Sequence, residues 1–289
     1  NCLFTDTINL SKKREVYKMF KTIILIIVIF IGMTIYDSNT PAKNSPQAED
    51  IKIEQHEKSA AKALFLSLLP PQEEWPSPFQ KAYLAFNMEE VIDPIRESPD
   101  WTPLPAIPKD MQQAIIAIED HNFYEHGAIA VEGVLRAALV NISAGEVLQG
   151  GSTLTQQFVK NVFLTHEQSM ERKIEEAILS LMLEENYSKD EILELYLNTT
   201  YLGAGANGLA QASRIYFGKS PQALTLAEAA VIASLPYAPS ALNPLENPEG
   251  CKKRQLLVLQ AMQKYGFIDQ DRAAKAAAET IVLTNGTVM

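Results

Sequence analysis

Cysteine is nearly absent. Cys2 and Cys251 are the only two in 289 residues. There is no Cys-x-x-Cys spacing, so neither a disulfide framework nor a thiolate metal cluster organises the fold. Cationic excess is also missing, because the net charge is −10. Bulk electrostatics therefore argue against a nucleic-acid surface, and any anionic ligand has to be held by local cations. Alternating apolar and polar residues, the mark of half-buried strands, are scarce. No internal repeat of 20–50 residues is visible. Long apolar runs are absent too, with one exception close to the N-terminus.

That exception is FKTIILIIVIFIGMTIYD, residues 20–37. No charge falls between Thr22 and Tyr36. Lys12, Lys13, Arg14, Lys18 and Lys21 precede the run, while Asp37, Glu49 and Asp50 follow it. It is slightly short for a spanning helix, but its Ile-rich composition and the positive-inside bias predict a single transmembrane anchor at 22–36. Residues 1–21 then form a basic cytoplasmic segment, and everything after Tyr36 lies outside. No small-x-small cleavage site follows, so the anchor reads as uncleaved. Met19 directly precedes the anchor, which makes residues 1–18 candidates for upstream translation. Cys2 and Cys251 fall on opposite sides of the bilayer and should not pair.

Residues 37–100 read as a polar tether and a proline-rich stem, the stem mixing short helical stretches with prolines as far as 107 and ordered at best in pieces. Leu64, Phe65, Leu66, Leu68 and Leu69 are candidates for contact with the outer leaflet. From Pro108 onward helical signals dominate. Met111, Ala114, Ile115 and Ile118 follow a period of 3.6 residues. Thr165-x-x-Gln168, Ser188-x-x-Glu191 and Thr225-x-x-Glu228 are capping boxes. Gly218 and Gly266 stand where helices should stop. The region 101–268 is thus expected to be one mainly α domain. In the fifth of the stretches below, Leu256, Leu259 and Met262 are expected to face its core. Residues 269–289 are expected to be a worn helix and a loose end.

Five stretches carry chemistry. In AIIAIEDHNFYEHGA, residues 114–128, Glu119 ends an apolar helix, so its carboxylate borders the core. Desolvation there raises its pKa and suits it to general-base work. In QGGSTLTQQFVKN, residues 149–161, glycines and hydroxyls at a loop-to-helix junction offer an anion cradle, with an ordinary Gly-Gly turn and a Ser/Thr cap as the plainer reading. Gln157 and Lys160 can share one cleft there. The run is not a Walker loop. In SMERKIEEAILSLMLEE, residues 169–185, Arg172, Lys173 and Glu176 share a helix side. Two cations held by one carboxylate suit a diphosphate. SKDEILELYLNTTYLGAGANG, residues 188–208, reads mainly as structural support, and KKRQLLVLQAM, residues 252–262, as a basic turn opening a helix.

In this order, residues 101–268 resemble the peptidoglycan glycosyltransferase (transglycosylase) domain of class A penicillin-binding proteins and their monofunctional relatives. The motifs are Glu119-Asp120-x-x-Phe123-x-x-His126, Gly151-Ser152-Thr153-x-Thr155-Gln156-Gln157, Arg172-Lys173-x-x-Glu176, Ile192-Leu193-x-x-Tyr196-Leu197-Asn198, and Arg254 with Val258-Leu259. The resemblance implies a lysozyme-like fold and the polymerisation of lipid II into glycan strands. Catalytic roles then fall to Glu119 and Glu176. Substrate contacts fall to Asp120, Phe123, His126, Ser152, Thr153, Gln156, Gln157, Lys160, Asn161, Arg172 and Lys173. Glu176 is also the candidate ligand for a divalent cation, Mg or Mn. The implied partners are lipid II, the growing lipid-linked strand, the membrane and other cell-wall synthesis proteins, with no nucleic acid. The implied location is the bacterial cytoplasmic membrane, with the catalytic domain on its outer side. Two departures stand out. The family's His-x-Gly is His126-Gly127-Ala128 here, and Gln255 replaces the second of a usual pair of arginines. A non-catalytic lipid II-binding scaffold and a lytic enzyme on the same fold are the competing readings. No Ser-x-x-Lys penicillin-binding motif follows, so the chain is read either as monofunctional or as cut from a larger protein.

Overall fold

A central helix built almost wholly from small residues organises the structure, which is a computed structural model describing residues 83, 87–130, 151–164 and 169–289. These lie within the compact unit Trp75–Met289. The expected anchor at 22–36, the tether, residues 64–69 and the Thr165–Gln168 box fall outside the described residues. No helix among the described residues is long and apolar enough to cross a membrane.

In chain order the helices are α1 (Glu89–Arg96), α2 (Lys109–Glu119), α3 (Leu154–Phe163), α4 (Met170–Asn186), α5 (Lys189–Thr199), α6 (Leu209–Phe217), α7 (Leu226–Ser234), α8 (Pro248–Lys264) and α9 (Gln270–Ala278). No strand occurs among the described residues, and isolated bridges join Tyr201 to Asn207 and Val282 to Val288. The fold is mainly α, as the periodicity predicts.

In α7, Ala227, Ala229, Ala230, Val231, Ile232 and Ala233 are all buried. A helix apolar on every side must be surrounded. Its short side chains let α2 and α8 approach, and α2, α7 and α8 pack against one another. A second group is formed by α3 packed on α4 and α5. The candidate site lies where the C-terminal end of α2 meets α3. Boxes at Ser188 and Thr225 cap α5 and α7 as expected, and Gly218 closes α6 in the left-handed conformation.

Three expectations need correction. The end of the stem does contain short helical stretches, but it is better ordered than in pieces: Met88, Ile92, Leu104 and Ile107 are buried in the core. Proline prevents a long helix there, but side chains satisfy the freed backbone. The amide N–H of Thr102 donates to Asn198 Oδ1 (2.8 Å), and that of Leu104 to Glu194 Oε2 (2.6 Å). The end of the chain is not loose. Ala273, Ala276, Ile281 and Leu283 are buried, and Arg272 donates to both oxygens of Asp110 at 2.9 and 2.8 Å. Along α8 the buried face is Cys251, Gln255, Val258, Leu259 and Met262, with Leu256 only partly covered. Leu259 and Met262 face the core as expected, and Gln255 takes the place expected of Leu256, donating to the carbonyl of Ala227 on α7 at 2.8 Å.

Candidate active site

Helix α2 ends because Asp120 leaves helical geometry, with φ −159° and ψ 72°. That break aims two consecutive carboxylates in different directions. Asp120 turns inward to hold the fold. Its Oδ2 accepts from the Leu154 amide (3.0 Å) and its Oδ1 lies 2.7 Å from His126 Nε2. One side chain thereby satisfies an orphan donor of α3's first turn and fixes the 121–130 loop. Phe123 is fully buried.

Glu119, partly buried, points to α3. Its Oε2 accepts from Gln157 Nε2 at 2.9 Å, and Gln157 Oε1 accepts from the Tyr196 hydroxyl at 3.2 Å. The tyrosine, fully buried on α5, thus orients the amide so that its N–H faces the carboxylate. Burial pushes the Glu119 carboxyl above its ordinary range. The Gln157 hydrogen bond and the charges of Arg254 and Lys160 pull it down, and the Asp120 charge pushes it up. Burial, reinforced by the Glu119 charge, holds the Tyr196 hydroxyl protonated far above the usual range. Gln157 therefore keeps its donor.

The 151–153 loop and α3 are joined by a capping box that the sequence reading did not single out. Thr153 Oγ1 accepts from the Gln156 amide (3.1 Å), and Gln156 Oε1 accepts from the Thr153 amide (3.1 Å). Thr153 also donates to the Ala128 carbonyl at 2.7 Å. Both residues are buried and shape the loop. Thr155 donates to Glu184 Oε1 (2.6 Å), as does Lys189 Nζ (2.7 Å), which also lies over the Phe123 ring. Lys160 and Asn161 are exposed, and among the described residues no hydrogen bond or ion pair engages Lys160.

On α4, Lys173 Nζ bonds Glu176 Oε1 and donates to Ser152 Oγ at 3.2 Å, while Arg172 Nη1 lies 3.9 Å from Glu176 Oε2. Glu176 is 1% exposed. It gathers two cations, of which Lys173 reaches the loop. The residues here do not fit a divalent ion: both Glu176 oxygens already face cations, which would repel another. Among the described residues no group of three His, Cys, Asp or Glu is placed to hold a metal.

Hydrogen bonds therefore bring Gln157 and, behind it, Tyr196 to the Glu119 carboxylate, on which the charges of Lys160 and Arg254 also act, while Ser152, Arg172 and Lys173 gather around Glu176. Asp120, His126, Phe123, Thr153 and Gln156 brace the loops between. No bond among the described residues joins the two clusters directly. Tyr196 and Arg254 are the residues that sequence reasoning left outside the site. Arg254 had a legible signal, since it follows Cys251 by three and precedes Val258 by four, which puts a cation beside an apolar stripe. The shifted glycine carries no strain, because neither Gly127 nor Ala128 has a positive φ.

Residues 61–263 match the transglycosylase family. A protein of Cupriavidus necator provisionally named a transglycosylase is 43% identical over 206 residues, 70% of this chain and 89% of that protein. Penicillin-binding protein 1A of Aquifex aeolicus is 45% identical over 177 residues, 61% of this chain and 24% of the relative. A crystal structure of penicillin-binding protein 1A from Haemophilus influenzae aligns at TM-score 0.32 and 35% identity, over 45% of this chain and 16% of that one. The chain thus spans about a quarter of the Aquifex penicillin-binding protein it matches. The protein is a glycosyltransferase. It belongs to the transglycosylase family.

Proposed function

We propose that this chain is a peptidoglycan glycosyltransferase that polymerises lipid II into β-1,4-linked glycan with inversion at the donor carbon. Glu119 takes the proton from the acceptor sugar's 4-hydroxyl as that oxygen attacks C1 of the donor. The bond from C1 to the diphosphate oxygen breaks, and polyprenyl diphosphate leaves with its electron pair. A diphosphate leaving group needs neutralised charge more than a proton, and Lys160, Arg172 and Lys173 supply it. Glu176 is a positioning residue that presents the α4 cations. A hydrolase cutting a finished glycosidic bond would instead need a proton donor on the leaving oxygen and a paired carboxylate.

The observation that carries this reading is the Glu119 carboxylate, held by Gln157 within reach of the Lys160 and Arg254 charges. Together with the family membership, it supports a lysozyme-like frame in which one base faces fixed cations. The basic-flanked run at 22–36 supports a single-pass anchor in the cytoplasmic membrane, with domain 101–268 outside, where polyprenyl-linked substrates are met in two dimensions. The test is gel-resolved glycan from purified lipid II with the full chain. Wild type makes polymer and Glu119→Gln makes about 10²- to 10⁴-fold less. Equal polymer from both overturns the base assignment. Release of fragments from finished cell wall without polymer from lipid II would favour the lytic reading.

A further inference from the structure

Lys189 and Glu184 stand at the wrong ends of their helices. Lys189 is the first residue of α5, where the helix dipole disfavours a cation, and Glu184 lies in the last turn of α4, where it disfavours an anion. The Lys189 ammonium donates to Glu184 Oε1 at 2.7 Å, and both side chains are largely shielded from solvent. Pairing offsets the unfavourable ends, yet the same pair with its charges exchanged would suit both dipoles. The groups on either side account for the orientation. Glu184 Oε1 also accepts from the hydroxyl of the fully buried Thr155 at 2.6 Å, and a lysine there would offer that proton no acceptor. The Lys189 ammonium lies 4.5 Å from the centre of the fully buried Phe123 ring, whose face attracts a cation and would repel a carboxylate.

The chain of contacts Thr155–Glu184–Lys189–Phe123 joins the first turn of α3 to the loop that follows Glu119. Sequence neighbours repeat the connection. Leu154, just before Thr155, donates its amide to Asp120 Oδ2 at 3.0 Å. Tyr124, just after Phe123, donates its hydroxyl to Oδ1 of Asp190, just after Lys189, at 2.8 Å. The 120–126 loop is therefore fastened to α3 through Asp120 and to α5 through Lys189 and Asp190, and Glu184 ties α3 to α5. Glu119 takes no part in these bonds, being held by Gln157 with Tyr196 behind it.

On the transferase reading of the site, on which this rests, we infer that Lys189 is a positioning residue for substrate binding. Acting through Phe123 and Glu184, it latches the 120–126 loop to the first turn of α3. It thereby sets the spacing between His126 on that loop and the Ser152–Thr153 turn that leads into α3, two sides of the site assigned to the lipid-linked sugar. The base is seated independently of the latch, so loosening the latch leaves the proton acceptor in place. What weakens is the grip on the substrate, which is common to the bound state and the transition state. Such a loss raises KM and leaves kcat nearly unchanged.

The experiment measures kcat and KM for lipid II polymerisation by the full chain, with a thermal melt of each protein. The proteins are wild type, Lys189→Arg, Lys189→Met, the double variant Lys189→Met with Glu184→Gln, and Tyr124→Phe. Lys189→Met should raise KM about tenfold with kcat within about threefold of wild type. Lys189→Arg keeps the charge and the reach, and should restore KM. In the double variant an amide still accepts from Thr155 and no charge is left unpaired, so Tm should recover while KM stays raised. Tyr124→Phe removes only the bond to Asp190 and should raise KM by less. An unmoved KM in Lys189→Met, a loss confined to kcat, or a KM that returns together with Tm in the double variant overturns the role of Lys189. If Lys189→Met does not fold, the double variant takes its place, and an unmoved KM there overturns it equally. A wild-type protein that makes no polymer from lipid II sinks the transferase reading and the latch with it, whereas polymer with an unmoved KM in the variants sinks the latch alone.

Discussion

At the scale of single residues, Glu119 couples activity to stability in opposite senses. Its folded-state pKa is raised above that of an exposed carboxylate, mainly by burial. The folded protein therefore binds this proton more tightly than the unfolded chain, and stability from the group is present at low pH and lost as pH rises through the folded value. At neutral pH the ionised side chain works against the fold. Glu119→Gln, which can still accept from Gln157, should raise Tm by a few degrees while abolishing most polymerisation, the usual trade between a strained site and a stable fold. A thermal melt at pH 7 and at pH 5 checks this, and the gap between variant and wild type should narrow at the lower pH. Glutamate at the end of an apolar helix was legible in the sequence from the period of its neighbours. The relay through Gln157 to Tyr196 was not, because the contact joins residues 39 apart and depends on how α3 packs on α5.

Glycine gives a second test at the same scale. A Cβ at Gly208 would lie 2.2 Å from the Asn198 carbonyl oxygen, and the residue has φ +82°. Gly208→Ala should therefore cost about 3 kcal/mol or more, as backbone and steric penalties combine. At Gly127 nothing lies within 4 Å of a built Cβ. Gly127→Ala should change stability by less than about 1 kcal/mol, despite the position's departure from the family pattern. Denaturant midpoints for the pair decide the matter. A large loss at 127 would mean that the loop needs glycine for a reason outside its own backbone.

At the scale of elements, caps set where helices begin. Ser188→Ala removes the acceptor for the Glu191 amide and should destabilise by about 1 kcal/mol. Thr153→Ala should cost roughly twice that, since the hydroxyl also donates to the buried Ala128 carbonyl. Urea titrations measure both, and equal losses would show that the bond to Ala128 contributes nothing. The boxes at 188 and 225 were legible as Ser or Thr followed three residues later by Glu. The Thr153–Gln156 box has the same spacing, and there a Ser/Thr cap stood beside the anion cradle as an open reading, because the residues around it suit both. The burial of Gln255 in place of Leu256 on α8 was hidden for a different reason. A fully buried glutamine reads as surface until its carbonyl partner on another helix is known.

At the scale of the molecule, the segment that looked most dispensable closes the core. The alanine-rich run 270–278 has few large side chains, so periodicity alone suggested a weak helix. Its small residues instead let α9 lie against α8, and the following chain returns across α6. There the Thr284 amide donates to the Tyr216 carbonyl at 3.0 Å, and its hydroxyl to the Ile215 carbonyl at 2.6 Å. Ile281 and Leu283 are 2% and 3% exposed. Ending the chain at residue 278 would remove both, together with Glu279, which accepts from Thr225 Oγ1 at 2.6 Å at the cap of α7. Two buried aliphatic side chains stabilise by about 3 kcal/mol or more together, so a circular-dichroism melt of the shortened protein should show Tm lowered by several degrees. A melt unchanged by the truncation would mean that the tail lies on the core without stabilising it.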